Sequence, residues 1–363
     1  MRLEFYKVRL PFKSPFTTSF GTEDERVGYV FTLENEGIRA FSECVTSEAP
    51  LYSYEDNDTA MHVIRKFLAP MISGLPTPDE FTARAQAIKG HNMAKAALEM
   101  LLWDYHAKAE GRPMHQYIGE SKGYADVGIS IGIDRPENLL KAVEAAVQRG
   151  YRRVKLKIKR GMEHQILGPV RDRFPDIVLS ADANNDYTLK DLDVLRSLDR
   201  YNLVYIEQPL DHEDIIDHAK LRKEISTPIC LDESITSPDK ARKAFEVGAA
   251  DVINIKPGRL GGFGPSLEVV RIVRENRAHC WVGGMLETGI GRAFNVAFAS
   301  LRDVDYPGDT SPNDKYFERD IVLNPFSMED GRIRPNAGPG IGVTVDMQYL
   351  RRMSVDYGYI TVG

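Results

Sequence analysis

This 363-residue chain has few cysteines, no long apolar run and no excess of positive charge. The three cysteines, Cys44, Cys230 and Cys280, lie far apart and lack CxxC spacing, which argues against a disulfide scaffold and suits a reducing cytoplasm. No stretch approaches the roughly 18 apolar residues of a membrane span, and the start MRLEFYKVRLPFKSPF has no apolar signal core. The net charge of -6 argues against a nucleic-acid-binding surface. We therefore expect a cytoplasmic protein without membrane or nucleic-acid partners; a homo-oligomer stays an open option.

The first part of the chain has a mixed α+β pattern. Up to about residue 55, apolar and polar side chains alternate, as they do in strands with one buried face. From about residue 59 to 117 the apolar spacing becomes helical, most clearly in HNMAKAALEMLLWDYHAKAEG. These patterns predict an N-terminal α+β domain over residues 1–122.

From about residue 125, strands and helices alternate, which is typical of parallel βαβ units. Eight such units fit a (β/α)₈ barrel over residues 123–312. A doubly wound sheet is the competing architecture, but the sequence lacks its GxGxxG phosphate turn. The remaining residues, 313–363, are expected to pack back on the first domain. The eight strands are expected near residues 127–133, 153–158, 177–182, 203–207, 228–232, 252–256, 280–284 and 304–309.

One polar residue recurs at the carboxyl end of five successive predicted strands. The spacings are 25, 25, 25 and 24 residues, about one βα unit each, so all five fall on the face where barrels build active sites. A single acid at such a position is more often the N-cap of the next helix. Capping does not explain five residues in one register, because lysine and glutamate are poor N-caps. The five are Lys157, Asp182, Glu207, Asp232 and Lys256.

The residue types in this set point to a metal-dependent reaction. Three carboxylates a few ångströms apart cannot all stay ionised without a cation. Since no His or Cys accompanies the three acids, oxygen ligation predicts Mg²⁺, or Mn²⁺, rather than zinc. A lysine beside such an ion and a second lysine is expected to have a lowered pKa and to act as a general base. The expected reaction is removal of the proton α to the carboxylate of a small substrate.

The segment RVKLKIKR, residues 153–160, contributes one of these lysines. Its lysines alternate with apolar residues, so the lysine face points either to water or into the barrel. The acids in phase with it favour the second arrangement, in which Lys155 and Lys157 face the barrel mouth and the apolar residues pack against the outer helices. Lys159 lies past the strand end and is expected to be solvated.

At these residues the sequence resembles the enolase superfamily, in its muconate-lactonizing branch, along almost the whole chain. The resemblance implies a modified TIM barrel, an α+β capping domain that the C-terminal tail completes, and Mg²⁺ as cofactor. It implies that Lys157, in the KxK motif, is the catalytic base, that Lys256 is a second catalytic lysine, and that the three acids are metal ligands. Residues that it implies hold these groups in place are Lys155, Asn184, Glu233 and Arg259.

Two branches of the superfamily fit poorly. The His that ends strand seven in mandelate racemases is replaced by Gly283-Gly284, and the Asp-x-Asp of dipeptide epimerases by Asp309-Thr310-Ser311. The stretches LPFKSPFTTSFGT, NIKPGRLGG, GGMLETGIGR and YPGDTSPND instead resemble the o-succinylbenzoate synthases that overlap with N-succinylamino acid racemases. This resemblance implies a carbon–oxygen lyase of menaquinone biosynthesis.

Other activities stay open at this point. In a racemase Lys256 would itself exchange protons, and Arg259 is expected to lower its pKa. A bifunctional enzyme and another muconate-cycloisomerase-like enzyme are further alternatives. A non-catalytic metal-binding barrel is the third class, and the lysine pair argues against it because a structural metal needs no lysines.

The resemblance also implies which residues touch the substrate. Two loops of the capping domain would cover the site, and residues after strand seven would line it from the barrel side. The cap loops read equally well as surface turns, and Ser130 as a packed core hydroxyl. The implied substrate-binding residues are Ser19, Phe20, Gly21, Tyr52, Ser130, Gly284 and Met285.

Overall fold

The N-terminal part of the protein is an antiparallel sheet backed by helices. The computed structural model describes residues 1–18 and 21–362, so the predicted substrate contacts Ser19 and Phe20 lie outside the described residues. A π-helical turn, Ile64–Leu68, and a 3₁₀ turn, Ala69–Ile72, separate the first two helices. The elements are β1 (Arg2–Thr18), β2 (Gly21–Asn35), β3 (Ile38–Cys44), α1 (Asn57–Val63), α2 (Pro78–Ala85), α3 (Asn92–Ala109) and α4 (Met114–Tyr117).

Side-chain alternation and helix capping account for these elements. One face of the sheet buries Leu3, Phe5 and Phe31 in a core shared with the apolar side of α3. Helix α2 begins with a capping box between Thr77 and Glu80. The predicted α+β character of this part is therefore confirmed.

The central part consists of parallel strands, each followed by at least one helix. After the short strand β4 (Ala125–Asp126), the strands are β5 (Gly128–Ile131), β6 (Arg153–Lys157), β7 (Leu179–Asp182), β8 (Ile206–Glu207), β9 (Ile229–Leu231), β10 (Val252–Ile255) and β11 (His279–Val282). The helices are α5 (Pro136–Gln148), α6 (Glu163–Arg173), α7 (Leu192–Ser197), α8 (Ile216–Leu221), α9 (Pro238–Glu246), α10 (Pro257–Leu260), α11 (Phe263–Glu275) and α12 (Gly289–Ala299).

The strands form one sheet in the order β11-β10-β9-β8-β7-β6-β5. Their outward side chains, such as Leu156 and Ile253, belong to the large core shared with the helices. The inside of the sheet holds a second, small cluster of Tyr205, Cys230, Val252 and Trp281. The curved sheet is thus filled on its inner face, as in packed barrels.

The prediction of an eighth strand at 304–309 is wrong, because these described residues do not form a regular strand. The segment nevertheless hydrogen-bonds to both edges of the sheet. Asp309 N donates to Val282 O of β11 at 2.9 Å, and Gly128 N of β5 donates to Gly308 O at 2.7 Å. Pro307 has no N–H to donate, so a continuous ladder cannot form across it. These single bonds connect β11 to β5 around the barrel.

The tail returns to the N-terminal sheet, as predicted. Strand β12 (Arg332–Ile333) pairs with β4, and after α13 (Met347–Arg352) strand β13 (Ser354–Thr361) pairs antiparallel with β1. The completed sheet has the order β13-β1-β2-β3. The domain boundaries at residues 122 and 312 stay predictions. Within the described residues, no helix has the length and apolar character needed to cross a bilayer.

Candidate active site

The lysine face of β6 points into the barrel, which confirms the prediction for RVKLKIKR. Lys155 is 3% exposed and Lys157 is 9% exposed. Val154 and Leu156, on the other face, lie in the core shared with the helices. Lys159 follows the strand and is exposed. The alternation of the strand therefore separates a charged interior face from an apolar exterior face.

Strand register brings the predicted site residues to one end of the sheet. Lys157 of β6 is the pairing partner of Asp182 of β7, which in turn pairs with Glu207 of β8. Asp232 directly follows β9, and Lys256 directly follows β10. In the ring closed by residues 304–309, β6 and β10 are separated by three strands on one side, so the two lysines enter from opposite sides of the barrel mouth.

Lys157 lies between a predicted metal ligand and the residue predicted to hold it. Its Nζ donates to Asp182 Oδ2 at 2.6 Å and to Asn184 Oδ1 at 2.7 Å. Asn184 Nδ2 in turn donates to Glu233 Oε1 at 3.1 Å. Asn184 and Glu233 therefore connect the segments that follow β7 and β9, and their role in holding the metal ligands stays a prediction.

Lys155 bridges the carboxylates of two strands. Its Nζ lies 3.2 Å from Asp182 Oδ2 and 2.8 Å from Glu207 Oε2. Asn254 Nδ2 donates to the other oxygen of Glu207, Oε1, at 2.7 Å. These contacts fix the Glu207 carboxylate from both sides.

Asp232 is held in a separate group on the other side of the mouth. Its Oδ2 accepts from Lys256 Nζ at 2.7 Å, and its Oδ1 contacts Arg259 Nη1 and accepts from Tyr52 OH at 3.2 Å. The ring of Tyr52 lies under Lys256 Nζ, with 4.5 Å between Nζ and the ring centroid. A side chain of the capping domain thus reaches the barrel lysine directly.

The shifts of acid pKa in the site follow from burial and from the neighbouring charges. Burial raises the pKa of Asp182, but the ammonium groups of Lys157 and Lys155 outweigh it, and the net pKa is well below its usual range. Burial raises the pKa of Glu207, and the charge of Asp182 raises it further. Glu233 also has a raised pKa, first because it is buried and then because Asp182 is near. The site therefore holds more buried carboxylate than its lysines fully neutralise.

Two lysines of the site have raised pKa values. Burial lowers the pKa of Lys256, but Tyr52 and Glu233 raise it more, so the net shift is upward. The pKa of Lys155 is also raised, because Asp309 and Glu207 outweigh its burial. For Lys256 the upward shift is opposite to the lowered pKa expected of it in a racemase.

The three predicted metal ligands have the right chemistry, but they do not converge on one point. Within residues 1–18 and 21–362, no group of three or more His, Cys, Asp or Glu side chains is arranged to hold a metal ion. Asp182 and Glu207 are brought together by a lysine, whereas Asp232 is engaged by Lys256 and Arg259. All three are buried oxygen donors, and Glu233 Oε2 is a buried oxygen without a hydrogen-bond partner among the described residues. The donor set therefore fits a hard divalent cation.

A pocket between the capping domain and the barrel mouth contains most of the predicted substrate contacts. Gly21 and Tyr52 line it from the capping domain, and Ser130, Gly284 and Met285 line it from the barrel. Ser130 Oγ is buried and has no hydrogen-bond partner in the part of the chain that the structure describes. A hydroxyl in that state is available to a ligand.

Several residues of the pocket were not identified from the sequence. Apolar side chains line its walls, and a carboxylate from the segment that closes the barrel lies at its floor. The spacing that identified the five strand-end residues has no equivalent for these, because they come from β1, from loops around the barrel mouth and from irregular segments. They are Phe16, Leu51, Leu286, Asp309 and Tyr316.

Comparison with known proteins gives the family. The chain matches the description "Enolase C-terminal domain-like" over residues 138–349 and "Mandelate racemase / muconate lactonizing enzyme, N-terminal domain" over residues 2–119. An N-succinylamino acid racemase of Thermus thermophilus is 42% identical over 369 residues, covering 100% of both chains. An o-succinylbenzoate synthase of Geobacillus stearothermophilus is 44% identical over 349 residues, covering 95% of this chain and 93% of its own.

A solved structure agrees with this assignment. The crystal structure of an enolase-superfamily member from Enterococcus faecalis V583 superposes with a TM-score of 0.94 at 40% identity, over 99% of each chain. Both family matches together span the capping domain and the barrel, and the lysines and acids described above lie at the barrel mouth between them. The chain therefore belongs to the enolase superfamily, in the mandelate racemase/muconate lactonizing enzyme family.

Proposed function

We propose that this protein is an o-succinylbenzoate synthase, a lyase that removes water from a succinyl-substituted hydroxycyclohexadiene carboxylate. The observation that carries the proposal is the pair Lys157 and Lys256, which line one pocket from opposite sides of a barrel mouth rich in carboxylates. The full-length similarity to the Geobacillus stearothermophilus synthase supports it.

Mg²⁺ is the proposed cofactor, with Asp182, Glu207 and Asp232 as its ligands. Their buried, oxygen-only donor set supports this choice, as do the raised pKa values of Glu207 and Glu233. When bound, the ion supplies positive charge that stabilises the enediolate left after loss of the α proton.

Lys157 is the proposed general base. Its Nζ lies at the pocket wall, held by Asp182 and Asn184, and as a neutral amine it takes the proton α to the substrate carboxylate. The ammonium group formed in that step then returns the proton to the hydroxyl that departs from the same face. One water leaves, the C–O bond breaks, and Lys157 is again neutral.

Lys256 is proposed to remain a cation during dehydration. It lies opposite Lys157, with Asp232 Oδ2 at 2.7 Å and the ring of Tyr52 below it. In this position its charge stabilises the negative intermediate without transferring a proton.

Charge and wall composition support an anionic substrate with an apolar body. Beside the proposed base Lys157, the charged side chains at the mouth include four cations, Arg153, Lys155, Lys256 and Arg259, and five carboxylates, Asp182, Glu207, Asp232, Glu233 and Asp309. With Lys157 neutral, a divalent cation would give this set one net positive charge, which suits an anionic substrate. The apolar pocket walls suit the ring of such a substrate.

N-succinylamino acid racemase is the second candidate, favoured by the Thermus thermophilus relative that covers the whole chain. In that reaction Lys256 must accept and deliver a proton on the face opposite Lys157. The contact of Arg259 with Asp232, next to Lys256, is the structural basis for a role of Arg259 in tuning it. One protein can catalyse both reactions, since both begin with the same proton abstraction.

Turnover of the diene acid and exchange in D₂O separate these functions. We expect the purified protein, supplied with Mg²⁺, to convert the diene acid to o-succinylbenzoate, followed by ultraviolet absorbance. Deuterium appearing at the α carbon of both enantiomers of an N-succinylamino acid would establish the racemase. If neither substrate reacts and no exchange occurs, the protein is not an enzyme of this class.

A further inference from the structure

Asp309 is a partly buried carboxylate in the pocket lining that the proposed reaction does not use. It ends the segment that closes the barrel, and its backbone is fixed by two hydrogen bonds. Its N–H donates to Val282 O at 2.9 Å, and its carbonyl accepts from Arg292 Nη1 at 2.8 Å. The side chain is 13% exposed and lines the pocket.

The Asp309 carboxylate lies between two cations of β6. Its Oδ2 is 2.9 Å from Lys155 Nζ, and its Oδ1 accepts from Arg153 Nη2 at 2.8 Å. Arg153 also donates to Pro307 O, so it fixes the carboxylate within its own segment. The position of Asp309 is therefore set independently of the acids on β7 and β8.

Lys155 has three carboxylate partners, and Asp309 alone of the three lies outside the proposed metal site. The other two, Asp182 at 3.2 Å and Glu207 at 2.8 Å, are proposed ligands of Mg²⁺. An ammonium group and a divalent cation on the same oxygens repel each other strongly in a buried site. For the ion to bind, Lys155 must give up one or both of those contacts.

We propose that Asp309 is a positioning residue that draws the Lys155 ammonium toward the segment 304–309, which closes the barrel, and so leaves Asp182 and Glu207 to the metal. The inference rests on the proposed magnesium site. The face of Trp281 lies beside the same ammonium, with 4.7 Å from Lys155 Nζ to the ring centroid, and it supports the retracted position. Asp309 and Trp281 thus hold the ammonium group of Lys155, which would otherwise compete with the ion.

The test is the affinity for Mn²⁺, measured by electron paramagnetic resonance without substrate. In the Asp309→Asn variant we expect Mn²⁺ to bind about tenfold more weakly or worse, because Lys155 then has only the ligand carboxylates to pair with. In a Lys155→Met background the same change at Asp309 should have no further effect. The single Lys155→Met variant should bind Mn²⁺ at least as tightly as the unchanged protein, and Asp309→Glu should restore part of the loss.

Asp305→Asn is the matched control. Asp305 lies in the same segment and also has a side-chain partner, His279 Nδ1 at 2.5 Å, but at the surface, so its replacement should leave Mn²⁺ affinity unchanged. The positioning role is overturned, while the metal site stands, if Asp309→Asn weakens Mn²⁺ binding equally in the presence and absence of Lys155. It is also overturned if the single Asp309→Asn variant binds Mn²⁺ with unchanged affinity. An unchanged protein that binds no Mn²⁺ overturns the magnesium site and the inference with it. If Asp309→Asn does not fold, the Mn²⁺ affinity of Lys155→Met still tests whether Lys155 competes with the ion.

Discussion

The substitution Lys256→Arg should separate the two candidate reactions. Arginine keeps a positive charge at the position where Lys256 contacts Asp232 and the ring of Tyr52, and guanidinium groups form both kinds of contact well. It cannot be deprotonated in a protein, however, and so cannot exchange a proton with the substrate. Dehydration requires only the charge, whereas racemisation requires the proton.

The expected magnitudes differ by orders of magnitude. Lys256 is only 8% exposed, so the larger guanidinium must displace its neighbours slightly, and we expect dehydration to fall by no more than about tenfold. Proton exchange on the Lys256 face should fall by about 10²–10⁴, the usual contribution of a general acid or base. Lys256→Met, which removes the charge, should reduce dehydration by about 10²–10³.

The assay follows o-succinylbenzoate formation and α-deuterium exchange on one preparation of each variant, with the thermal unfolding midpoint as a check of folding. Lys157→Arg is the control for loss of the base, and it should abolish dehydration and exchange on the Lys157 face. If Lys256→Arg lowers dehydration and exchange by the same factor, Lys256 transfers a proton in both, and the electrostatic role assigned to it is wrong.

Three further predictions concern the metal and the contact between capping domain and barrel. Treatment with EDTA should abolish turnover. Addition of Mg²⁺ or Mn²⁺, but not of Ca²⁺, should restore it, and restoration by zinc would contradict the assignment of oxygen ligands. Gly262→Ala should lower the thermal unfolding midpoint by several degrees, corresponding to about 2 kcal/mol, because Gly262 has φ +123° and a Cβ there would overlap the Glu99 carboxylate. The control is Gly37→Ala, which is also at positive φ but has no atom within 4 Å of the added Cβ. It measures the cost of the backbone conformation alone. Burial raises the pKa of Glu99 to about 7, although hydrogen bonds from Gly264 and Phe263 lower it, so the folded state holds this proton more tightly than the unfolded state. The free energy of unfolding should therefore fall by up to about 3 kcal/mol as pH rises from about 4.5 to 7. In urea unfolding, this free energy should depend less on pH for Glu99→Gln than for the unchanged protein. An equal pH dependence in both proteins would contradict the raised pKa of Glu99.

Residue spacing carried most of the prediction of the fold and the site. Strand-end residues of parallel units must meet at one edge, so the 25-residue interval was enough to place Lys157, Asp182 and Glu207 side by side. Alternation showed that β6 has a lysine face, and the acids in phase with it indicated that this face points inward, since five polar residues in one register cannot all be helix caps. The metal and the proton abstraction followed from the residue types, whereas the particular lyase reaction and the substrate contacts came from family resemblance.

The parts that the sequence did not predict are those governed by irregular backbone and by long-range contacts. The predicted strand at 304–309 is interrupted at Pro307, where proline removes a ladder donor without changing the apolar pattern. Asp309 was noticed only as a departure from a motif, because nothing local shows that it meets Lys155, 154 residues earlier in the chain. The grouping of Asp232 with Lys256, Arg259 and Tyr52 depends in the same way on the docking of a cap loop.

The pairing of β1 with β13 has a consequence for how the chain acquires its structure during translation. Arg2 lies opposite Thr361, so β1 meets this neighbour only after all the residues between the two strands have been synthesised. Until then β1 is an open edge, and contacts of such long sequence separation form slowly. We therefore expect the capping sheet to be the last part to mature and the stage most dependent on chaperones, while the βα units can assemble progressively from local contacts.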